Sequence, residues 1–160
     1  MLVELPVLPL ILINILAWLV IHMGAAWLGT QIPGRCFRTD QWLYRPRPWE
    51  RKGQVYERTI RITAWKRLLP DGAALFRKGF RKKRLISRNQ DYLEAFARET
   101  CRGEAVHWVV LGSSALFFLW NPWWAGLIMV AYALLANLPC ILVQRYNRFR
   151  ISRMLANRRP

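Results

Sequence analysis

Cysteine is scarce in this chain and has no pairing pattern. Cys36, Cys101 and Cys140 are odd in number and share no ligand spacing, which argues against a disulfide framework and a zinc site. Histidine is scarcer, with only His22 and His107. No Gly-x-Ser-x-Gly elbow, nucleotide-type glycine loop, His-x4-Asp motif or internal repeat is found. Cys101 lies about 240° around a continuous helix from His107, so the two do not face each other as nucleophile and base. Ser113 and Ser114 read as helix-packing residues.

Acidic residues are also few: nine Asp and Glu stand against 25 Lys and Arg, for a formal net charge of +16. A soluble nucleic-acid binder can be this basic, but it does not also carry three long apolar runs, so no nucleic-acid partner is expected. The runs are 5–28, 105–120 and 123–143. A spanning helix needs roughly 20 mainly apolar residues. The first and third runs satisfy this, and the second borrows its ends from the interface. The fold class expected is an all-α integral membrane protein with about three transmembrane helices and interfacial amphipathic segments. It forms one membrane domain over 1–160, with a basic interfacial region at 33–103 and a basic tail at 144–160.

The first run lacks a basic segment before it and is long for a signal peptide, so it is expected to be a retained span. Lys and Arg are absent before that run and from the Asn121-Pro122 turn; all 25 fall between Arg35 and Arg102 or after Val143. The positive-inside rule then puts the N-terminus and that turn outside the membrane. The central basic region and the C-terminus are cytoplasmic.

Within the first run, Ala25 and Gly29 form a small-xxx-small pair that admits a close neighbouring helix, and an oligomer is compatible with it. Asn14 and His22 are its polar members; His22 reads either as an interhelical hydrogen bond or as a functional group. Residues 33–48 are rich in Pro, Arg and aromatics. They are expected to lie irregularly at the membrane surface, with Trp42, Tyr44 and Trp49 at head-group depth. Residues 53–65 favour neither helix nor strand. Leu69-Pro-Asp-Gly72 is a turn. The cations of Arg77–Arg88 suit anionic lipid by default, and equally the phosphates of coenzyme A. Leu93, Phe96, Ala97 and Thr100 mark an amphipathic helix after Asn89, with Gly103 as a candidate kink.

Glu104 and His107 are the sharpest chemical pair. Three residues apart on a helix, they lie about 60° around the axis and share a face. A His oriented by Glu can deprotonate an alcohol for acyl transfer; an interfacial His with a structural Glu partner fits the same spacing. Asp71 is a second candidate, although Asp is common in turns for backbone reasons. After Val143, Gln144, Arg145, Tyr146, Asn147 and Arg148 form a polar run. It reads either as a snorkelling helix end or as a holder of a polar or phosphorylated head group.

The ordered set Leu28-Gly-Thr-Gln-Ile-Pro33, Trp65-Lys-x-x-Leu-Pro-Asp-Gly72, Glu99-Thr-x-Arg102 with Glu104-x-x-His-Trp108, and Ala136-Asn-x-Pro139 running to Gln144-Arg-Tyr-Asn-Arg148 resembles the glycosyl-4,4′-diaponeurosporenoate acyltransferase family. Phe149 stands where Pro is expected and Cys101 where a basic residue is expected. The resemblance implies a membrane O-acyltransferase acting on a hydroxyl of a glycosylated carotenoid or related lipid acceptor. Its donor is a fatty acyl thioester, carried by coenzyme A or acyl carrier protein, and no metal or other cofactor is expected. His107 is then the general base, Glu104 its orienting partner and Asp71 an assistant. Trp65, Lys66, Asn137 and the residues from Gln144 to Arg148 bind substrate. The rival is a non-catalytic basic membrane protein that binds lipid or assists assembly.

Overall fold

The computed structural model describes residues 6–69 and 85–157. Among these no strand occurs. The α-helices are α1 (Val7–Gln31), the short α2 (Gln54–Arg58) and α3 (Ile62–Trp65), α4 (Gln90–Ser113) and α5 (Trp123–Ala156). Asp71, the 70–72 part of the expected turn and the Arg77–Arg84 cations lie outside the described residues.

α1 begins after extended Pro6 and ends at extended Ile32, whose conformation suits a residue before proline. Only Asn14, Trp18 and Gly29 of this helix are fully buried, while Leu8, Ile11, Leu16, Leu19 and Val20 are exposed. A helix apolar on every side but packed along one stripe is suited to lipid. α1 and α5 are both long and apolar enough to cross a membrane, and little of either apolar window is covered by protein. Residues 105–120 do not form a third helix of that kind. α4 already carries Arg98, Glu99, Arg102 and Glu104, and its α-geometry gives way at Ser114 to a tighter 3-10 segment, Ser114–Leu119. The Ser113 and Ser114 hydroxyls donate back to the carbonyls of Val109 and Leu111, both at 2.7 Å.

The helix boundaries differ from expectation in two further places. α4 runs through Gly103 without interruption, because Asn89 caps it by accepting from Tyr92 N at 3.0 Å and its apolar face packs continuously. The run after Val143 is no separate tail, since α5 continues to Ala156 with Pro139 inside it. The stretch from 53 to 65 resolves into α2 and α3.

α4 packs against both α1 and α5, and Trp18 of α1 also meets Met129 and Tyr132 of α5. Trp18, Val110, Phe117 and Ala133 form the core of the apolar end, where the Trp18 and Phe117 rings stack at 4.5 Å. At the polar end Leu93, Phe96 and Ala97 pack against Ile151 of α5, so the predicted amphipathic face meets protein. Two contacts fix α1. Asn14 and Asn121 exchange hydrogen bonds at 2.8 and 2.9 Å, and Trp120 Nε1 also donates to Asn14 Oδ1 at 2.8 Å. Near the other end Gly29 lies so close to α4 that an added Cβ would sit 2.6 Å from Val106 Cγ2. There Arg102 Nη1 donates to the Gly29 carbonyl and, at 2.8 Å, to that of Ile32, serving the end of α1 where carbonyls lack helical partners.

Candidate active site

The polar end of the α4–α5 pair is built around Arg145. Its Nε and Nη2 donate to the two oxygens of Glu50 at 2.7 and 3.0 Å, and Nη1 donates to Glu104 Oε1 at 2.8 Å. The carbonyls of Leu43 and Arg45 accept the remaining bonds at 3.0 and 3.2 Å. A guanidinium has five N–H donors, and here each has an acceptor. Arg148 Nη2 donates to Glu104 Oε2 at 2.5 Å, and its Nη1 approaches Cys101 Sγ at 3.7 Å. All four charged side chains are buried. Two carboxylates thus neutralise two cations, the condition under which buried charge is tolerated.

Glu50 is delivered by the 3-10 turn Pro48–Gly53, where Pro starts the turn and Glu50 Oε2 accepts from Arg47 N at 2.5 Å. The turn reverses through three left-handed residues, Arg51, Lys52 and Gly53 (φ 46°, 55° and 88°). A Cβ on Gly53 would lie 2.9 Å from Phe149 Cβ, so the unexpected Phe149 packs where only glycine leaves room. Tyr56 donates its hydroxyl to Glu50 Oε1. Burial pushes the Glu50 carboxyl upward, but bonds from Arg145, Tyr56 and the Arg47 amide outweigh it and hold the group below its ordinary range. Burial and the bond to Glu50 push Tyr56 the other way, above the usual phenol value. Tyr44, unlike the exposed Trp42 and Trp49, is buried in protein, against Phe37 and Cys101. Burial, with the charge of the neighbouring Cys101 and Glu104, pushes its phenol up to about 12. Burial likewise pushes the Cys101 thiol up to about 11, which keeps it from serving as a thiolate nucleophile.

The Glu104 carboxylate, expected to orient His107, is taken up by Arg145 and Arg148. Side chains tilt towards the N-terminus of their helix, which for α4 is the polar end. The Glu104 carboxylate follows that tilt to the two guanidiniums, and Trp108 Nε1 adds a bond to Oε1 at 3.3 Å. His107 is half-buried and meets α5 instead, with Nδ1 at 2.9 Å from Asn137 Oδ1. The Asn137 amide is oriented by its own helix, because Nδ2 donates to the Ala133 carbonyl at 2.9 Å. With Oδ1 as the acceptor, a neutral imidazole bonded to it carries its proton on Nδ1 and its lone pair on Nε2.

The remaining predicted residues divide between two faces of α5. Arg145 and Arg148 face Glu50 and Glu104, as described. Tyr146 is buried on the other face, donating to Glu57 Oε1 at 2.7 Å, and Asn147 Oδ1 accepts from Lys66 Nζ at 3.4 Å. Trp65 donates to the Ile60 carbonyl at 2.8 Å, which positions α3 rather than leaving the indole free for a ligand. Gln144 is half-buried, and its Oε1 is a buried atom without a partner.

Sequence reasoning missed Glu50 and its supporting Tyr56. One signal pointed towards it: with so few carboxylates in the chain, any arginine buried beside a membrane must claim one of them.

A sequence profile of the glycosyl-4,4′-diaponeurosporenoate acyltransferases matches residues 40–157. Curated proteins of that name from Staphylococcus aureus strains bovine RF122 / ET3-1 and MRSA252 are each 33% identical to the chain over 138 residues. The protein of strain USA300 is 32% identical over the same length. Each alignment covers 86% of this chain and 83% of the relative. No solved structure matches the fold.

Proposed function

Because the chain belongs to the glycosyl-4,4′-diaponeurosporenoate acyltransferase family, we propose that it moves a fatty acyl group from a thioester onto a hydroxyl of a glycosylated carotenoid or a related glycolipid. The observation that carries this reading is the His107–Asn137 hydrogen bond at 2.9 Å. It supports the tautomer in which Nε2 serves as the base, by the logic with which a third residue orients a catalytic histidine elsewhere.

In this mechanism Nε2 of His107 takes the proton of the acceptor hydroxyl as its oxygen bonds to the thioester carbonyl carbon. The tetrahedral intermediate collapses, the C–S bond breaks and the sulfur leaves with the electron pair. The imidazolium returns its proton to that sulfur. Glu104 and Glu50 act at one remove by holding Arg145 and Arg148, and so the α4–α5 pairing on which the base sits. The apolar half of α4 enters the membrane beside α1 and α5 in this reading, with the basic face cytoplasmic.

The test is acyl transfer to glycosyl-4,4′-diaponeurosporenoate by purified His107→Ala. Loss of a positioned base lowers kcat by roughly 10²- to 10⁴-fold. Full turnover by a well-folded variant would falsify the mechanism.

A further inference from the structure

The two faces of the polar half of α5 differ in charge balance. On one, Arg145 and Arg148 are matched by Glu50 and Glu104. On the other, half-buried Lys66 is held over the Tyr146 ring at 4.6 Å and against Asn147 at 3.4 Å. Arg150 follows Tyr146 by four residues and Asn147 by three, so it lies one turn further along this same face, exposed. Arg67 is exposed beside Lys66 in sequence. Among the described residues Glu57 is the carboxylate at this face, and it already accepts from Tyr146. Burial lowers the Lys66 ammonium from its ordinary value, and the charges of Arg150 and Arg67 lower it further than Glu57 restores. Cations held together this way, one of them partly out of water, leave an anion site with its donors in place.

We propose that Lys66, Asn147 and Arg150 bind the phosphates of the acyl donor. The inference rests on the acyl-transfer reading above, which requires a thioester, and gives that thioester a phosphate-bearing carrier. The placement fits such a carrier. Asn147 lies ten residues beyond Asn137 on one helix, about 15 Å along its axis, so a ligand held at both points needs an arm between its anionic end and its reacting carbonyl. A phosphopantetheine-linked thioester has that arrangement. Lys66 supplies a compact charge with donors to spare, and Asn147 can donate its amide N–H while its oxygen holds the lysine.

Palmitoyl-CoA binding to the full chain, in nanodiscs of zwitterionic lipid, tests the assignment. Lys66→Gln and Arg150→Gln should each raise Kd roughly tenfold, as expected for losing a charge-assisted bond. Neither should alter binding of palmitoyl-N-acetylcysteamine, a thioester without phosphate. His107→Ala should bind palmitoyl-CoA normally, so a failed base assignment appears in turnover and a failed phosphate assignment in Kd. Arg150 is exposed, so its variant tests the site even if Lys66→Gln misfolds. Unchanged palmitoyl-CoA affinity in well-folded Arg150→Gln overturns the proposal, as does an equal loss for both thioesters. If the variants keep donor affinity but lose co-purifying phosphatidylglycerol, the phosphate belongs to the membrane and the proposal also fails.

Discussion

Glu50 and Arg145 are 95 positions apart in sequence and meet fork to fork, through bonds of 2.7 and 3.0 Å between fully desolvated groups. The pair ties the turn before α2 to the end of the apolar part of α5. Removing one charge leaves the other buried without its partner. Glu50→Gln should therefore destabilise the fold by roughly 3–5 kcal/mol, measured as a fall in the thermal midpoint in detergent. A smaller effect in Asp40→Asn provides contrast, because the Arg38–Asp40 pair is exposed.

The same carboxyl predicts an acid limb of stability. Its folded value is depressed below the unfolded value of about 4.3. Between the two, the unfolded chain binds more protons, so stability falls as pH falls. The contribution is complete above the unfolded value and is lost as pH drops through the folded one. The thermal midpoint should hold from neutrality down to about pH 5 and then decline. Glu50→Gln should show a shallower decline.

The family resemblance implies that Asn137 binds substrate, whereas in the proposed mechanism its bond to His107 gives it a positioning role. The two roles give different kinetics. Asn137→Leu should lower kcat by about tenfold to a hundredfold with little change in KM for the acceptor. A raised KM at unchanged kcat would restore the binding role.

Cysteine reactivity should follow burial. Cys36 is exposed, whereas Cys101 is buried with its thiol pushed up to about 11. Cys101 is then held as the protonated thiol at pH 7. Maleimide should label Cys36 quickly in folded protein and Cys101 only after denaturation. Cys101→Ala should retain acyl transfer; loss of turnover in a stable variant would return this residue to the chemistry.

Gly29→Ala should destabilise by about 1–3 kcal/mol through overpacking against Val106. Val106→Ala in the same chain should recover much of that loss, and the cycle of four proteins measures the contact directly.

The two long apolar helices and the start of α4 were legible because they depend on local signals. Apolar length announced α1 and α5, and the amphipathic period announced the first turns of α4. The ion network was not legible in the same way. Glu104 is equally well spaced for His107 by helix arithmetic, and the tilt of its side chain towards Arg145 decides between them only once α5 is in place. Glu50 lies in a segment with no period at all, and its route to Arg145 depends on a left-handed reversal at Arg51, Lys52 and Gly53. The extension of α5 past Val143 was hidden by composition. Polar residues after an apolar run look like an ending, yet here one face of the helix carries neutralised charge and the same backbone ladder simply continues.

Asn14 and Gly29 fasten α1 at two depths, the first to Asn121 and the second to Val106, with about 22 Å of helix between them. A rod held at two points along its length can bow or swing sideways, but it cannot piston. If the proposed lipid acceptor enters beside α1, it has to part the helices laterally, and the level at which the reacting groups meet stays constant from one turnover to the next.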